Sequence, residues 1–249
     1  MRADRPSGRG RTLVIVPAYN EEAALGSVLD ELRSSGDDLD VVVVDDGSTD
    51  RTSEVALAHG ATLLPLPFNL GIGGALRTGF RYAVRAGYQR AVQFDADGQH
   101  DAAEIGTLLR ELDRGVDLVI GSRFANSTQT YEVGMVRARA MAVLRFAIGQ
   151  LSGRRFTDTS SGFRGFSARM LEFFASSYPA EYLESVEALF LACANGFRVE
   201  EVPVRIHARQ AGVPSNRNLR LLYHYLRLLL VLTASASRRN RLPSVGAAR

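Results

Sequence analysis

Val41-Val42-Val43-Val44-Asp45-Asp46-Gly47-Ser48-Thr49-Asp50 is a run of four β-branched residues that stops at two carboxylates and a glycine. A short, continuously apolar run without polar alternation predicts a strand buried on both faces, as in a parallel sheet. Upstream, Thr12-Leu13-Val14-Ile15-Val16 is another such run, ended by Pro17. Between the two, Leu25, Val28, Leu29 and Leu32 recur at helical spacing and predict a helix over about 21–34, with Asn20 as its N-cap. The unit is βαβ.

Downstream the alternation repeats, with a strand over 62–66, a helix over about 71–85, a strand over 91–94, a helix over 102–112 and a strand over 117–120. The predicted class is α/β, a mainly parallel, doubly wound sheet with flanking helices, whose ligands bind in the crevice outside the carboxyl ends of the strands. Ala91-Val92-Gln93-Phe94-Asp95-Ala96-Asp97-Gly98-Gln99-His100 carries an apolar strand directly into two carboxylates spaced i, i+2. Alternation along a strand puts Asp95 and Asp97 on one side of it. Such a pair suits Mg²⁺ or Mn²⁺, with the remaining oxygens supplied by water and substrate phosphates. An Asp-x-Asp-Gly stretch also closes ordinary turns. However, Pro17-Ala18-Tyr19-Asn20-Glu21 and Asp45-Asp46-Gly47-Ser48 fall at strand ends on the same rim, and three polar clusters there weaken the turn-only reading. Asn69-Leu70-Gly71-Ile72-Gly73-Gly74-Ala75 opens a helix whose amides could face a phosphate. It is not a dinucleotide fingerprint, because Leu76 stands where Gly-x-Gly-x-x-Gly needs glycine and the stretch follows the third strand; close packing or a tight turn accounts for it as well.

Composition narrows the chemistry. The 249 residues, 46% hydrophobic and 23% charged, suit one large α/β domain or two small ones. Every basic side chain apart from four histidines is an arginine, which excludes a Walker A loop, a Schiff-base lysine and a Ser-Lys pair. Arginine is also the better bidentate phosphate ligand. The net charge of +3 is dispersed except at Arg238-Arg239-Asn240-Arg241, so no nucleic-acid partner is expected. The single cysteine, Cys193, lies in an apolar stretch and reads as a buried, inert thiol in a reducing, cytoplasmic setting.

Residues 1–11 are rich in Arg, Gly and Pro without an apolar core, predicting a disordered N-terminus rather than a signal peptide. Beyond Gly121-Ser122-Arg123 the expected elements are a loop over 126–134, a helix over about 136–151, a helix near 181–195, a strand over 198–204 and a loop over 205–218. A last helix over 219–237 carries Leu221, Leu222, Tyr225, Leu228, Leu229 and Leu232. It packs on the core, pairs with a second copy to make a homo-oligomer, or rests on a membrane surface. Arg220, His224 and Arg227 interrupt it too often for a membrane span. The tail over 238–249 is expected to be unstructured.

Taken in order, the motifs resemble those of a family 2 glycosyltransferase of the GT-A fold. They are most similar to the dolichyl-phosphate mannose synthase branch of polyprenyl-phosphate glycosyltransferases, over about residues 12–235. The matching motifs are Pro17-Ala18-Tyr19-Asn20-Glu21, Val44-Asp45-Asp46-Gly47-Ser48-Thr49-Asp50, Asn69-Leu70-Gly71, Asp95-Ala96-Asp97-Gly98-Gln99-His100, Gly121-Ser122-Arg123, Ser161-Gly162-Phe163-Arg164, and Val202-Pro203-Val204 leading to Arg209. The resemblance implies one GT-A domain over 12–237, with a nucleotide-sugar half over about 12–122 and an acceptor half over about 123–237. It implies that Pro17, Tyr19, Glu21, Val44 and Asp46 hold the nucleoside, joined by Ala96. Asp95, Asp97 and Gln99 would hold Mg²⁺ or Mn²⁺ or the sugar diphosphate around it. Arg209 would grip phosphate from the far side, while Arg123 and Arg137 would bind the phosphate of a polyprenyl acceptor. The implied reaction is inverting displacement at the anomeric carbon. A phosphate acceptor needs no base, whereas a hydroxyl acceptor would need one, with Asp158 or Glu187 as candidates. A nucleotide-sugar-binding partner of a membrane protein is the non-enzymatic alternative.

Two departures stand out. The late loop Arg209-Gln210-Ala211-Gly212-Val213-Pro214-Ser215-Asn216-Arg217 is one residue longer than the pattern Arg-x-x-Gly-x-Ser-Lys and offers Arg217 where lysine is expected. No C-terminal membrane helices are apparent, so a lipid acceptor would be reached through peripheral contact with the cytoplasmic membrane face or through a membrane-protein partner.

Overall fold

Strand β1 (Thr12–Ala18) sorts its side chains to two sides: Leu13 and Ile15 enter one core, Val14 and Val16 the other, and all four are buried. The same division runs through β2 (Leu39–Asp45), with Val42 and Val44 on one face and Val43 on the other. Two apolar faces require a layer of helices on each, which is why these runs show no polar alternation. In the computed structural model, which describes residues 10–35, 38–122, 149, 156–159, 161–179 and 184–205, those layers are present.

The remaining described elements are α1 (Leu25–Ser34), α2 (Thr52–Ala58), β3 (Thr62–Pro65), α3 (Ile72–Ala86), β4 (Arg90–Gln93), α4 (Ile105–Asp113), β5 (Leu118–Ser122), β6 (Arg164–Ser167), α5 (Ala168–Ser177), α6 (Glu184–Ala194) and β7 (Val199–Pro203). The described strands form one sheet in the order β3-β2-β1-β4-β6-β5-β7. Helices α3, α5 and α6 cover the face bearing Leu13, Ile15, Val42 and Val44; there Phe80 packs edge-on against Phe166 at 4.9 Å and Tyr178 at 5.0 Å. Helices α1, α2 and α4 cover the other face through Leu25, Leu29, Leu32, Ala56, Ile105 and Leu108. Cys193 is buried on α6.

Pairing is parallel except at β6, which runs antiparallel between β4 and β5. The chain passes from β1 to β2 on one side and places β4 on the other, so the strand order reverses beside β1. Ligands of open α/β sheets bind at such a switch point, at the carboxyl ends. Ala18 pairs with Asp45 and Ile15 with Gln93, which sets the ends of β1, β2 and β4 side by side.

Several expectations are corrected. Helix α1 starts at Leu25, not near 21, and Asn20 does not cap it. Asn20 instead has φ 55°, a left-handed conformation that asparagine tolerates, and its Oδ1 accepts hydrogen bonds from Thr49 N (2.8 Å) and Thr49 Oγ1 (3.3 Å). The expected helix over 102–112 opens as a 3₁₀ turn, Ala102–Glu104, whose cap Asp101 accepts from Ala103 N, before α4 continues. Helix α2, strand β6 and helix α5 were not foreseen. Among the described residues no helix is long and apolar enough to cross a membrane. The expected loop over 126–134 and the helix over 219–237 lie outside the described residues, as do all but Gly149 of the helix over 136–151 and all but Arg205 of the loop over 205–218. The N-terminal residues 1–9 and the tail over 238–249 lie outside them as well.

Candidate active site

The loops after β1 and β2 are tied to each other before either can meet a ligand. Asn20 N donates to Ser48 Oγ (2.9 Å), Glu21 N to Thr52 Oγ1 (2.9 Å), and Glu22 N to Asp50 Oδ2 (3.2 Å), while Arg51 N donates back to Glu22 Oε2 (3.0 Å). Asp45 belongs to this internal bonding: its oxygens accept from Ser48 N at 2.9 Å and from Ser53 Oγ. Asp46 is 3% exposed, and its Oδ1 accepts from Leu70 N at 2.7 Å, which joins the loop after β3 to the rim. Burial pushes the Asp46 carboxyl above the usual range, with the Asp45 charge adding to it, against the backbone N–H groups of Leu70 and Gly71. Gly47 makes the turn with φ 74°, and a methyl there would come within 2.7 Å of the Phe68 backbone. Tyr19 is 46% exposed at the lip, and Pro17 and Glu21 are half-buried. Val44 is wholly enclosed, so its side chain shapes the strand beneath the rim and does not line it.

Asp95 and Asp97 follow β4 in the adjacent loop. Asp97 is 9% exposed, and its Oδ1 accepts from Gln99 N (3.1 Å) across Gly98, which has φ 72°. Asp95 Oδ1 accepts from Gln93 Nε2 (3.2 Å), and its Oδ2 lies 3.1 Å from His100 Nε2. Desolvation alone would push the Asp95 carboxyl up; the His100 ring, with the Gln93 amide and the charge of Arg164, outweighs it and holds the acid below the usual carboxylate range. His100 is 5% exposed, stacked on Phe163 at 5.0 Å and 19°, with its Nδ1 unpartnered among the described residues. Gly162 faces the same carboxylate: a methyl there would sit 2.9 Å from Asp95 Oδ1 and closer still to Oδ2. Only a glycine lets the backbone at 162 lie this close to the Asp95 carboxylate. Two carboxylates and the Gln99 amide are oxygen donors, the set that a hard divalent cation takes.

The third wall is residues 156–159 and 161–164. Glu201 on β7 accepts from Thr157 N (2.7 Å) and Asp158 N (2.6 Å), fastening the segment to the sheet. Asp158 is 1% exposed and Glu187, on α6, is half-buried. Buried Arg164 donates Nε to Ser161 O (2.8 Å), Nη1 to Ser185 O (2.8 Å) and Nη2 to Thr159 O (3.1 Å). Gln93, His100, Gly162 and Arg164 have no role in the sequence reading. His100, Gly162 and Arg164 sit in quoted motifs, and Gln93 is legible only as a polar residue inside an apolar strand. Of the expected site residues, Pro17, Tyr19, Glu21, Asp46, Asp95, Ala96, Asp97 and Gln99 come to one rim, with Val44 beneath it. Arg123, Arg137, Arg209 and Arg217 lie outside the described residues.

Comparison with known proteins agrees with this fold. The pattern of the Glycosyl transferase family 2 matches residues 13–175. The polyprenol monophosphomannose synthase of Mycolicibacterium smegmatis is 32% identical over 84% of this chain and 83% of its own. The undecaprenyl-phosphate mannosyltransferase of Micrococcus luteus is 33% identical over 81% of this chain and 86% of its own. The crystal structure of glucosyl-3-phosphoglycerate synthase from Mycobacterium tuberculosis, in complex with Mn²⁺, UDP-glucose and phosphoglyceric acid, superposes with a TM-score of 0.68. It covers 98% of this chain and 84% of that one at 23% identity, a likeness of fold. With the seven-stranded, mostly parallel sheet of a GT-A enzyme and a family pattern running from β1 into α5, this chain is a member of glycosyltransferase family 2.

Proposed function

We propose that this glycosyltransferase moves a sugar, with inversion, from a GDP- or UDP-linked donor to a polyprenyl phosphate, using a divalent cation. The observation that carries the reading is the Asp95-x-Asp97 pair at the switch point, beside the Asp46 rim, with Gly162 packed against Asp95. The lipid-phosphate acceptor is supported by the names of two relatives at 32–33% identity. The cation is supported by the Mn²⁺ in the structural neighbour.

In this reading Asp46, with Tyr19, Pro17 and Glu21 around it, receives the nucleoside. Asp95, Asp97 and Gln99 hold Mg²⁺ or Mn²⁺, which would supply charge neutralisation for the departing diphosphate. An acceptor phosphate oxygen forms the bond to the anomeric carbon as the bond to the diphosphate oxygen breaks. That oxygen is already an anion at neutral pH, so the protein's task is to orient it, assigned to Arg123 and Arg137, with Arg209 and Arg217 closing on the donor phosphates. No base is needed, and the burial of Asp158 accords with this. A lipid acceptor requires contact with a membrane surface, which in this reading is the cytoplasmic face.

The test is incubation with a panel of nucleotide sugars, Mg²⁺ or Mn²⁺ and a short polyprenyl phosphate, read by mass spectrometry. A lipid-linked sugar is expected with at least one donor, and Asp97→Ala reduces its formation by about a hundredfold or more, as loss of several kcal/mol of charge stabilisation requires. No product with any donor, or full activity in Asp97→Ala, overturns the reading. Arg123→Ala separates acceptors, because transfer to a hydroxyl would survive it.

A further inference from the structure

Arg164 is the largest fully enclosed side chain among the described residues, at 0% exposure. A guanidinium out of water is costly unless its donors and its charge are both answered. Its described hydrogen bonds all end on neutral carbonyl oxygens, those of Thr159, Ser161 and Ser185. Its charge is felt by two acids, Asp95 and the buried Glu184. A residue kept only to stabilise the core would not need a full positive charge there, since apolar residues of similar volume serve as well or better.

What the fork holds is a segment that meets Asp95 at several points. Two of the three carbonyls precede Gly162, the residue packed against the Asp95 carboxylate. Phe163 follows and carries the stacked ring of His100, whose Nε2 lies 3.1 Å from Asp95 Oδ2. Arg164 itself begins β6 opposite Gln93, whose amide donates to Asp95 Oδ1. The Ser161-Gly162-Phe163-Arg164 motif therefore supplies the wall, the ring support and the charge around one carboxylate.

We propose that Arg164 is a positioning residue for Asp95: by pinning Thr159 and residues 161–163 it fixes the orientation in which this carboxylate meets the divalent cation. The inference rests on the reading of Asp95 as a cation ligand. Residues that orient a metal ligand typically change metal affinity by about 10–100-fold when altered.

The experiment measures Mn²⁺ bound to the intact chain by electron paramagnetic resonance, with UDP and with GDP, in the wild type, Arg164→Lys, Gly162→Ala and Asp95→Asn. Lysine keeps the charge but cannot span three carbonyls, whereas alanine at 162 leaves Arg164 in place and pushes the carboxylate aside. Both variants are expected to weaken Mn²⁺ binding by about 10–100-fold, with excess Mn²⁺ restoring most of the turnover of Gly162→Ala. Metal-free nucleotide binding is expected to stay within about twofold, a split that general loosening of the fold would not produce. If Arg164→Lys does not fold, Gly162→Ala decides. Wild-type Mn²⁺ affinity in Gly162→Ala and in any folded Arg164→Lys, with Asp95→Asn impaired, overturns the positioning role and leaves the metal reading standing. Wild-type affinity in Asp95→Asn overturns both.

Discussion

Asp45 and Asp46 are neighbours in sequence with opposite duties. Asp45 spends its oxygens on Ser48 and Ser53 and closes its own loop, whereas Asp46 is held by the backbone N–H groups of Leu70 and Gly71 at the start of α3. Burial holds Asp46 at a raised pKa, so the folded chain keeps this proton to higher pH than the unfolded chain does. Its contribution favours the fold below the usual carboxylate pKa and is lost as pH rises through the raised one. Asp46→Asn removes that loss: its Tm is expected to exceed the wild type's at pH 7, and the gain should vanish toward acid pH. Because a hydrogen bond to a charged group is worth about 1.5–3 kcal/mol, donor nucleotide binding should fall about 10–100-fold. An unchanged Tm across pH, or unchanged binding, contradicts the assignment. A stabilising change that costs function is the usual mark of a binding carboxylate.

At the scale of elements, the latch between the loops after β1 and β2 sets the shape of the donor rim. Asn20→Gly preserves the left-handed backbone but loses the two bonds to Thr49. Losing about 1 kcal/mol of rim order should raise donor KM about fivefold with kcat little changed; equal loss in both would place Asn20 elsewhere in the cycle. Helix α3 lies so close on β1 that a methyl at Gly79 would approach Ile15 Cγ2 to 2.5 Å. Gly79→Ala is expected to destabilise by about 1–3 kcal/mol through overpacking, seen as a lower Tm in a protein that still binds nucleotide with Mn²⁺. The long elements were legible because their apolar spacing is local: α1, α3 and α4 bury the residues their periodicity marks. Strand β6 was not. Arg164-Gly165-Phe166-Ser167 has a charged residue and a glycine in four, and it is a strand because β4 and β5 bond it on both sides. There Gly165 is the residue that fits, since a Cβ would meet Leu108 and Leu112 at 3.3 Å. Likewise Asn20 has the composition of a helix cap, and only the distant Thr49 shows that its amide is used otherwise.

For the molecule as a whole, the cation is expected to strengthen nucleotide binding. A nucleotide bound at a hundred times its Kd stabilises the fold by about 2.7 kcal/mol, or about 5–10 °C in Tm for a chain of this length. With the cognate nucleotide and Mn²⁺ the shift should reach that range, and a chelator should remove most of it; a full shift in the chelator's presence would dissociate the cation from donor binding. The sequence by itself determined the α/β class, the parallel core and the acidic ends of β1, β2 and β4, because continuous apolar runs and the residues that end them are properties of neighbours along the chain. It also marked Asp46, Asp95 and Asp97, since carboxylates at strand ends are conspicuous. The tertiary structure alone decided that β6 enters the sheet reversed, and that Gln93, His100, Gly162 and Arg164 converge on Asp95. Those relations join residues as many as 77 positions apart, such as Arg90 and Ser167, and no local pattern records a contact made only when distant segments are packed together.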